Sequence, residues 1–211
     1  MSSFRQLMMR NKGGGGSYQV VDYIESSGTQ YIDTGFIPNK DTKIEMTINL
    51  LSRSNSPYPF GAGVAWENKV FAFTVNSNRW GIGSIFCFAN DSNKRTQNFD
   101  VNSKNTITMS KDGGIITGVW NVTTSAFSNY YSFDSAGCNL LLFAIQWQTE
   151  LEVKDFATMK LYGCKVWDNG TLVRDYTPVL NLDTNKYGLL DTLNNVFYGN
   201  SGTGDFSGGN D

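Results

Sequence analysis

The segment "TKIEMTINL", Thr42 to Leu50, sets Ile44, Met46, Ile48 and Leu50 against Lys43, Glu45, Thr47 and Asn49. Strict alternation over this length has one physical solution. It is an extended strand with one face in a core and one in water, because successive side chains leave a strand on opposite faces. "KVFAFTV" repeats the pattern with Phe71, Phe73 and Val75. "NTITMSKDGGIITGVWNV" gives strand, turn at Asp112-Gly113-Gly114, and strand. "MKLYGCKVWDNGTLVRDYTPV" gives two strands around Asp168-Asn169-Gly170, and Asn-Gly is the dipeptide that best accepts the left-handed geometry of a tight hairpin. Pro178 is expected to end the second strand or to place it at an edge. "YGLLDTLNNVFYGN" follows the same grammar and turns at Asn194-Asn195. "NLLLFAIQW", Asn139 to Trp147, is short and nearly all apolar, which reads as a strand buried on both faces. Ser125 to Ser132 is a loop or a short turn of helix, and no other window of the body carries a helical stripe. The expected fold class is therefore all-β, one antiparallel β-sandwich of about a dozen strands in jelly-roll style.

The remaining composition narrows the chemistry. The chain has 211 residues, enough for one sandwich with a substantial core. Charged residues make up only 17%, and the net charge of −2 gives no global field for nucleic acid or an anionic membrane. Histidine is absent, which removes Ser-His-Asp and Cys-His catalysis and the commonest transition-metal ligand. Cys87, Cys138 and Cys164 lack CxxC spacing and sit among apolar or small neighbours, so buried free thiols are expected. No stretch approaches the ~20 apolar residues of a membrane span, and the N-terminus lacks the apolar run of about 7–15 residues of a secretory signal. Synthesis in a cytoplasm, without a signal peptide, is the corresponding expectation.

The N-terminus reads differently from the body. "SFRQLMMRNKGGGGSYQ", Ser3 to Gln19, is a basic, methionine-rich peptide followed by four glycines. Residues 1–12 are expected to be a docking peptide, with Phe4, Arg5, Leu7, Met8, Met9 and Arg10 as the docking side chains. Residues 13–17 form a flexible linker and residues 18–211 the sandwich. Methionine and phenylalanine adapt to a groove, and arginines pair with acidic rims.

Candidate chemistry in the body is sparse. Glu150 and Glu152 share one face if their segment is extended, and a glycosidase needs two carboxyls ~5–9.5 Å apart. The segment has no denser acid motif, and a solvated surface is the expectation, so no catalytic residue is assigned. Asp91, Asp134, Asp168, Asp183 and Asp205 lie near Asn, Ser or Gly in expected loops. They read first as turn formers, with a structural calcium as the lesser alternative, and no cofactor is assigned. Of the five tryptophans, Trp66 and Trp80 lie in loop-rich, glycine-containing sequence and are the candidates for an exposed sugar platform.

Two stretches carry a resemblance. "YIESSGTQYIDTGFIPNKDTKIEM", Tyr23 to Met46, resembles the opening of a laminin-G/concanavalin-like jelly-roll domain found in structural proteins of tailed phages and prophages. "LYGCKVWDNGTLVRDYTPVLN" and "YGLLDTLNNVFYGNSGTGDFSGG" are similar to the ending of that domain. The resemblance implies a virion structural protein, a fibre or decoration component of the particle. Its N-terminal arm would dock on capsid, portal or tail proteins, and its jelly roll would be displayed as a homo-oligomer such as a trimer, in contact with a host-surface glycan. It implies no shared catalytic residues. A free-standing carbohydrate-binding lectin or adhesin is the alternative.

Overall fold

A computed structural model describes residues 8–10, 16–54, 56–64, 69–76, 83–89, 91–96, 99, 101–118, 122–125, 133–147 and 152–211, with backbone alone at 8–10, 76, 83–89, 91–96 and 122–125. These residues form twenty strands in two sheets and no helix, so none long and apolar enough to cross a membrane occurs among them. The larger sheet holds β1 (Met8–Arg10), β2 (Ser17–Val20), β3 (Tyr23–Ser26), β5 (Thr42–Leu50), β10 (Lys104–Ser110), β11 (Gly113–Thr117) and β12 (Val122–Ser125). Completing it are β16 (Met159–Asp168), β17 (Thr171–Asn181), β18 (Lys186–Asp191), β19 (Val196–Tyr198) and β20 (Ser207–Gly209). The smaller holds β4 (Ile32–Asp33), β6 (Phe60–Val64), β7 (Lys69–Asn76), β8 (Gly83–Ala89), β9 (Asp91–Thr96), β13 (Leu141–Leu142), β14 (Ile145–Trp147) and β15 (Glu152–Lys154). Ile44, Met46, Ile48, Ile107 and Met109 of the larger sheet share one buried cluster with Phe60, Phe71, Phe73 and Val75 of the smaller. That common core makes the molecule a jelly-roll-type β-sandwich.

Several expectations hold in detail. β5 spans Thr42–Leu50 and alternates buried and half-buried residues without exception. The β16–β17 hairpin turns at Asn169 (φ 46°) and Gly170 (φ 78°), both left-handed. Cys138 and Cys164 are buried free thiols, while Cys87 lies where only backbone is described.

Others are corrected. The strands are shorter and more numerous than a dozen. The β10–β11 turn falls on Lys111-Asp112, one residue early, with Ser110 paired to Gly113. The apolar run from Asn139 is fully buried at Leu140–Ile145 but is two strands, β13 and β14, separated at Phe143, whose φ is 70°. β14 then pairs in parallel with β6. Pro178 neither ends β17 nor lies at an edge; the strand continues to Asn181, paired with β18. Proline is tolerated because it sits where β17 exchanges its other neighbour, β16, for β2, and its carbonyl accepts the Val21 N–H at 3.1 Å. Most of Ser125 to Ser132 lies outside the described residues.

The N-terminal peptide is not wholly clear of the sandwich. Met8, Met9 and Arg10 form an antiparallel pair with Gln19, Tyr18 and Ser17, which folds the expected arm back at these residues onto the edge of β2. Phe4, Arg5 and Leu7 lie outside the described residues.

The two stretches that resemble the phage domain meet as a clasp. Gln30, buried, accepts the Ser27 N–H at 2.9 Å and the Ser26 hydroxyl at 3.0 Å, and its amide donates to the Asp205 carbonyl at 3.2 Å. Asn200 Oδ1 accepts the N–H groups of Tyr31 (3.1 Å) and Gly202 (2.8 Å). These motifs close the chain's two ends on each other, which is a structural role. Gly202 is required by space: a Cβ there would lie 2.2 Å from the Thr29 carbonyl oxygen. Gly170 has open space, so its substitution meets only the backbone penalty of positive φ. Gly170→Ala should cost about 1–2 kcal/mol. Gly202→Ala should cost more, about 3 kcal/mol, the upper end of the usual overpacking range, because backbone rather than a side chain must yield. Urea unfolding of both variants checks the order.

Candidate ligand-binding face

The chemistry gathers on the outer face of the larger sheet, where one irregularity shapes it. Along β16, Leu161 pairs with Ile48 and Gly163 with Thr47, so Tyr162 is an extra residue, a β-bulge. Bulged residues re-aim their side chains, and Gly163 adds none of its own. The result is a cleft of about 450 Å³ whose walls include Glu45, Thr47, Tyr162, Lys165, Asp175 and Thr177. Lys165 stands directly opposite Glu45 on one side and Asp175 on the other, and its ammonium lies 3.4 Å from the Asp175 carboxylate. The cleft thus mixes an aromatic ring, hydroxyls, two carboxylates and a cation. Buried beside it, Cys164 has its thiol pushed well up by desolvation, so it offers no nucleophile.

Next to the cleft is an aromatic and cationic platform. The rings of Tyr23 and Tyr162 lie 5.8 Å apart, tilted by 58°. Lys104 Nζ stands 3.9 Å over the Tyr162 ring, Lys160 Nζ 3.8 Å over Tyr23, and further along the face Lys43 Nζ stands 4.6 Å over Trp167. Asp211 projects its carboxylate between the first two lysines, 3.0 Å from Lys104 and 3.3 Å from Lys160. Hydrogen bonding from Lys104, then from Tyr162, holds the Asp211 carboxyl below the usual carboxylate value; Lys160 adds to it. Desolvation, reinforced by Asp211, pushes the Tyr162 phenol up to about 12. Asn49 stands opposite both Lys104 and Lys160 in the ladders, and its buried Oδ1 has no partner among the described residues.

Other sequence candidates do not assemble. Trp66 and Trp80 lie outside the described residues, as does Glu150; Glu152 is exposed, with Lys154 3.9 Å away. Met8, Met9 and Arg10 are placed by backbone only. Asp168 accepts from Asn39, Asp183 from the Ser17 N–H, and Asp205 pairs with Lys186 at 2.6 Å. No three metal-ligating side chains stand together among the described residues. A second cleft of about 350 Å³ lies beside the end clasp, and its Lys186 and Asp205 already neutralise each other. The residues that do converge, Tyr23, Asn49, Lys104, Lys160, Tyr162 and Asp211, were not expected from the sequence. One signal was present: buried apolar positions run Met159, Leu161 and then Cys164, Val166, a change of parity that marks a bulge.

No protein-family model matches this sequence, and no curated protein matches it. Among solved structures the chain is similar to a native heptameric SAP-like pentraxin from Limulus polyphemus. The identity is 13% and the TM-score 0.48, over 72% of this chain and 75% of that one.

The platform's electrostatics have a titratable signature. Asp211 has a folded value below its ordinary 3.8, so its hold on the lysines is complete above 3.8 and is lost as pH falls through the lowered value. An NMR titration of its carboxyl carbon should show a midpoint under 3.8. In Asp211→Asn, Tyr162 keeps its desolvation but loses the carboxylate, so its phenol should titrate between 10.0 and about 12 by ultraviolet absorbance.

Proposed function

We propose that this chain is a non-catalytic binding module that takes a glycan on the outer face of its larger sheet. The observation that carries this reading is the bulge cleft. A sugar presents an apolar ring face and a rim of hydroxyls that both donate and accept, and it needs a wall that alternates in the same way. Tyr162 supplies the ring; Thr47, Thr177, Glu45, Asp175 and Lys165 supply donors and acceptors in one cleft. Hydrolysis is disfavoured by the same geometry. A glycosidase places its scissile bond between two carboxyls, and between Glu45 and Asp175 the ladder places Lys165.

The setting we propose for the module is the particle of a tailed phage, and this rests on the end motifs at Tyr23–Met46 and Leu161–Gly209 rather than on the cleft. The module would stand on the virion as a homo-oligomer, where many weak glycan contacts act together. Docking through Phe4, Arg5, Leu7, Met8, Met9 and Arg10 then requires β1 to leave β2, or the residues before β1 to suffice. A free-standing lectin is the alternative setting for the same face.

Two measurements test these readings separately. On a glycan array the full chain should retain at least one glycan class. Tyr162→Ala should weaken it about tenfold, about 1.4 kcal/mol, with an unchanged circular dichroism spectrum; equal binding by the variant would remove the cleft from the mechanism. Deletion of residues 1–12 should leave a folded domain that no longer enters phage particles, and incorporation at the level of the full chain would overturn the docking role.

A further inference from the structure

We infer that the Lys104–Lys160–Tyr162 platform is a carboxylate subsite, occupied in this structure by the chain's own Asp211, and that the glycan it selects carries an acid group of the uronic or sialic type. This rests on the glycan-binding reading above and names the ligand class.

Two donors from two strands converge on one carboxylate, Lys104 from β10 at 3.0 Å and Lys160 from β16 at 3.3 Å. Both ammonium groups also lie against ring faces, Lys104 over Tyr162 and Lys160 over Tyr23. Those contacts belong to strand residues and do not depend on Asp211, so the donors stay in place when the aspartate leaves. Glu25 of β3 stands opposite Lys160 and competes for it, whereas Lys104 stands opposite the uncharged Asn49; Asp22 is occupied by the Asp211 N–H at 3.0 Å. Glu45 and Asp175 face Lys165 at the far side of the cleft.

Asp211 is held as a displaceable occupant. Its side chain is 39% exposed, and its strand-side anchor is the three-residue pairing of β20 with β3. Exposed ion pairs of this kind are individually weak. An incoming carboxylate can therefore replace it without rearranging β10 or β16. Tyr162 belongs to both regions: it lines the bulge cleft, and its ring carries the Lys104 ammonium. A sugar ring in the cleft thus has an acid-binding corner at its edge. Asn49, opposite both lysines, has a buried Oδ1 that lacks a partner among the described residues.

The test uses the full chain on an array of uronate-containing, sialylated and neutral glycans, with wild type, Asp211→Asn and the double variant Lys104→Ala/Lys160→Ala compared, each checked for folding by circular dichroism. Wild type should prefer acidic over neutral glycans. If Asp211 fills the subsite about nine-tenths of the time, Asp211→Asn should bind the acidic glycans about tenfold more tightly and the neutral ones unchanged. The lysine pair should keep neutral binding and lose the acid preference. An Asp211→Asn variant with no gain for acids, or a lysine variant that keeps the preference, overturns the carboxylate subsite and leaves glycan binding standing. Failure of all three proteins to retain any glycan overturns both.

Discussion

One extra residue in β16 reconciles the core with the surface. Met159 and Leu161 reach the interior from odd positions, and Cys164 and Val166 from even ones. A regular strand would turn one of these pairs into water, because a shift of one residue exchanges the two faces. Inserting Tyr162 opposite no partner keeps all four inside, in contact with the same cluster that holds Phe60, Phe71 and Phe73. The outer face inherits the consequence: an aromatic side chain re-aimed beside a glycine, and a gap in the pleated surface where they stand. The cleft is a product of the packing solution and is as rigid as the sheet that carries it.

How much of this the sequence disclosed follows from the range of the interactions. β5 and the Asn169-Gly170 turn are local: alternation and left-handed tolerance are written in adjacent residues. The break at Phe143 and the passage of β17 through Pro178 are set by neighbours far along the chain, such as the exchange of β16 for β2, and no local pattern carries them. The candidate face is more remote still. Tyr23, Lys104, Tyr162 and Asp211 are separated by most of the sequence and meet only when β3, β5, β10, β16 and β20 lie side by side. Each alone reads as an ordinary solvated residue. Attention to tryptophan in loops passed over tyrosine and lysine on strands, although the alternation of Lys160 and Tyr162 on one face was visible once the parity change was noticed.

The end motifs gain a different meaning from their geometry. Gln30, Asn200 and Gly202 tie the first turns to the last, with Thr203 N–H also donating to the Thr29 carbonyl. A closure of this kind makes few demands on the middle of the chain, so the ends can persist while the sheets between them diverge. Residues that hold the sandwich shut and residues that line the cleft and platform share these stretches, since Tyr23, Glu45, Tyr162, Lys165, Asp175 and Thr177 lie within them. The resemblance reports the fold through the first set and says nothing of what the second set binds.

The same distinction bears on two short edge strands of the larger sheet. β1 adds three residue pairs to β2, and β20 adds three to β3. Short edge strands of this size contribute little alone, since an isolated pair is marginal in water. Each nevertheless carries side chains of chemical interest, the basic methionine-rich peptide in one case and Asp211 in the other. Strong attachment would make both permanent parts of the sandwich; no attachment would leave both without defined positions. Weak pairing at a fixed edge gives each a defined position while keeping the free energy of detachment small. With a net charge of only −2, no long-range field selects an anion for the platform. Selection must come from contacts made at the face itself, where Lys104 and Lys160 converge on a single anion.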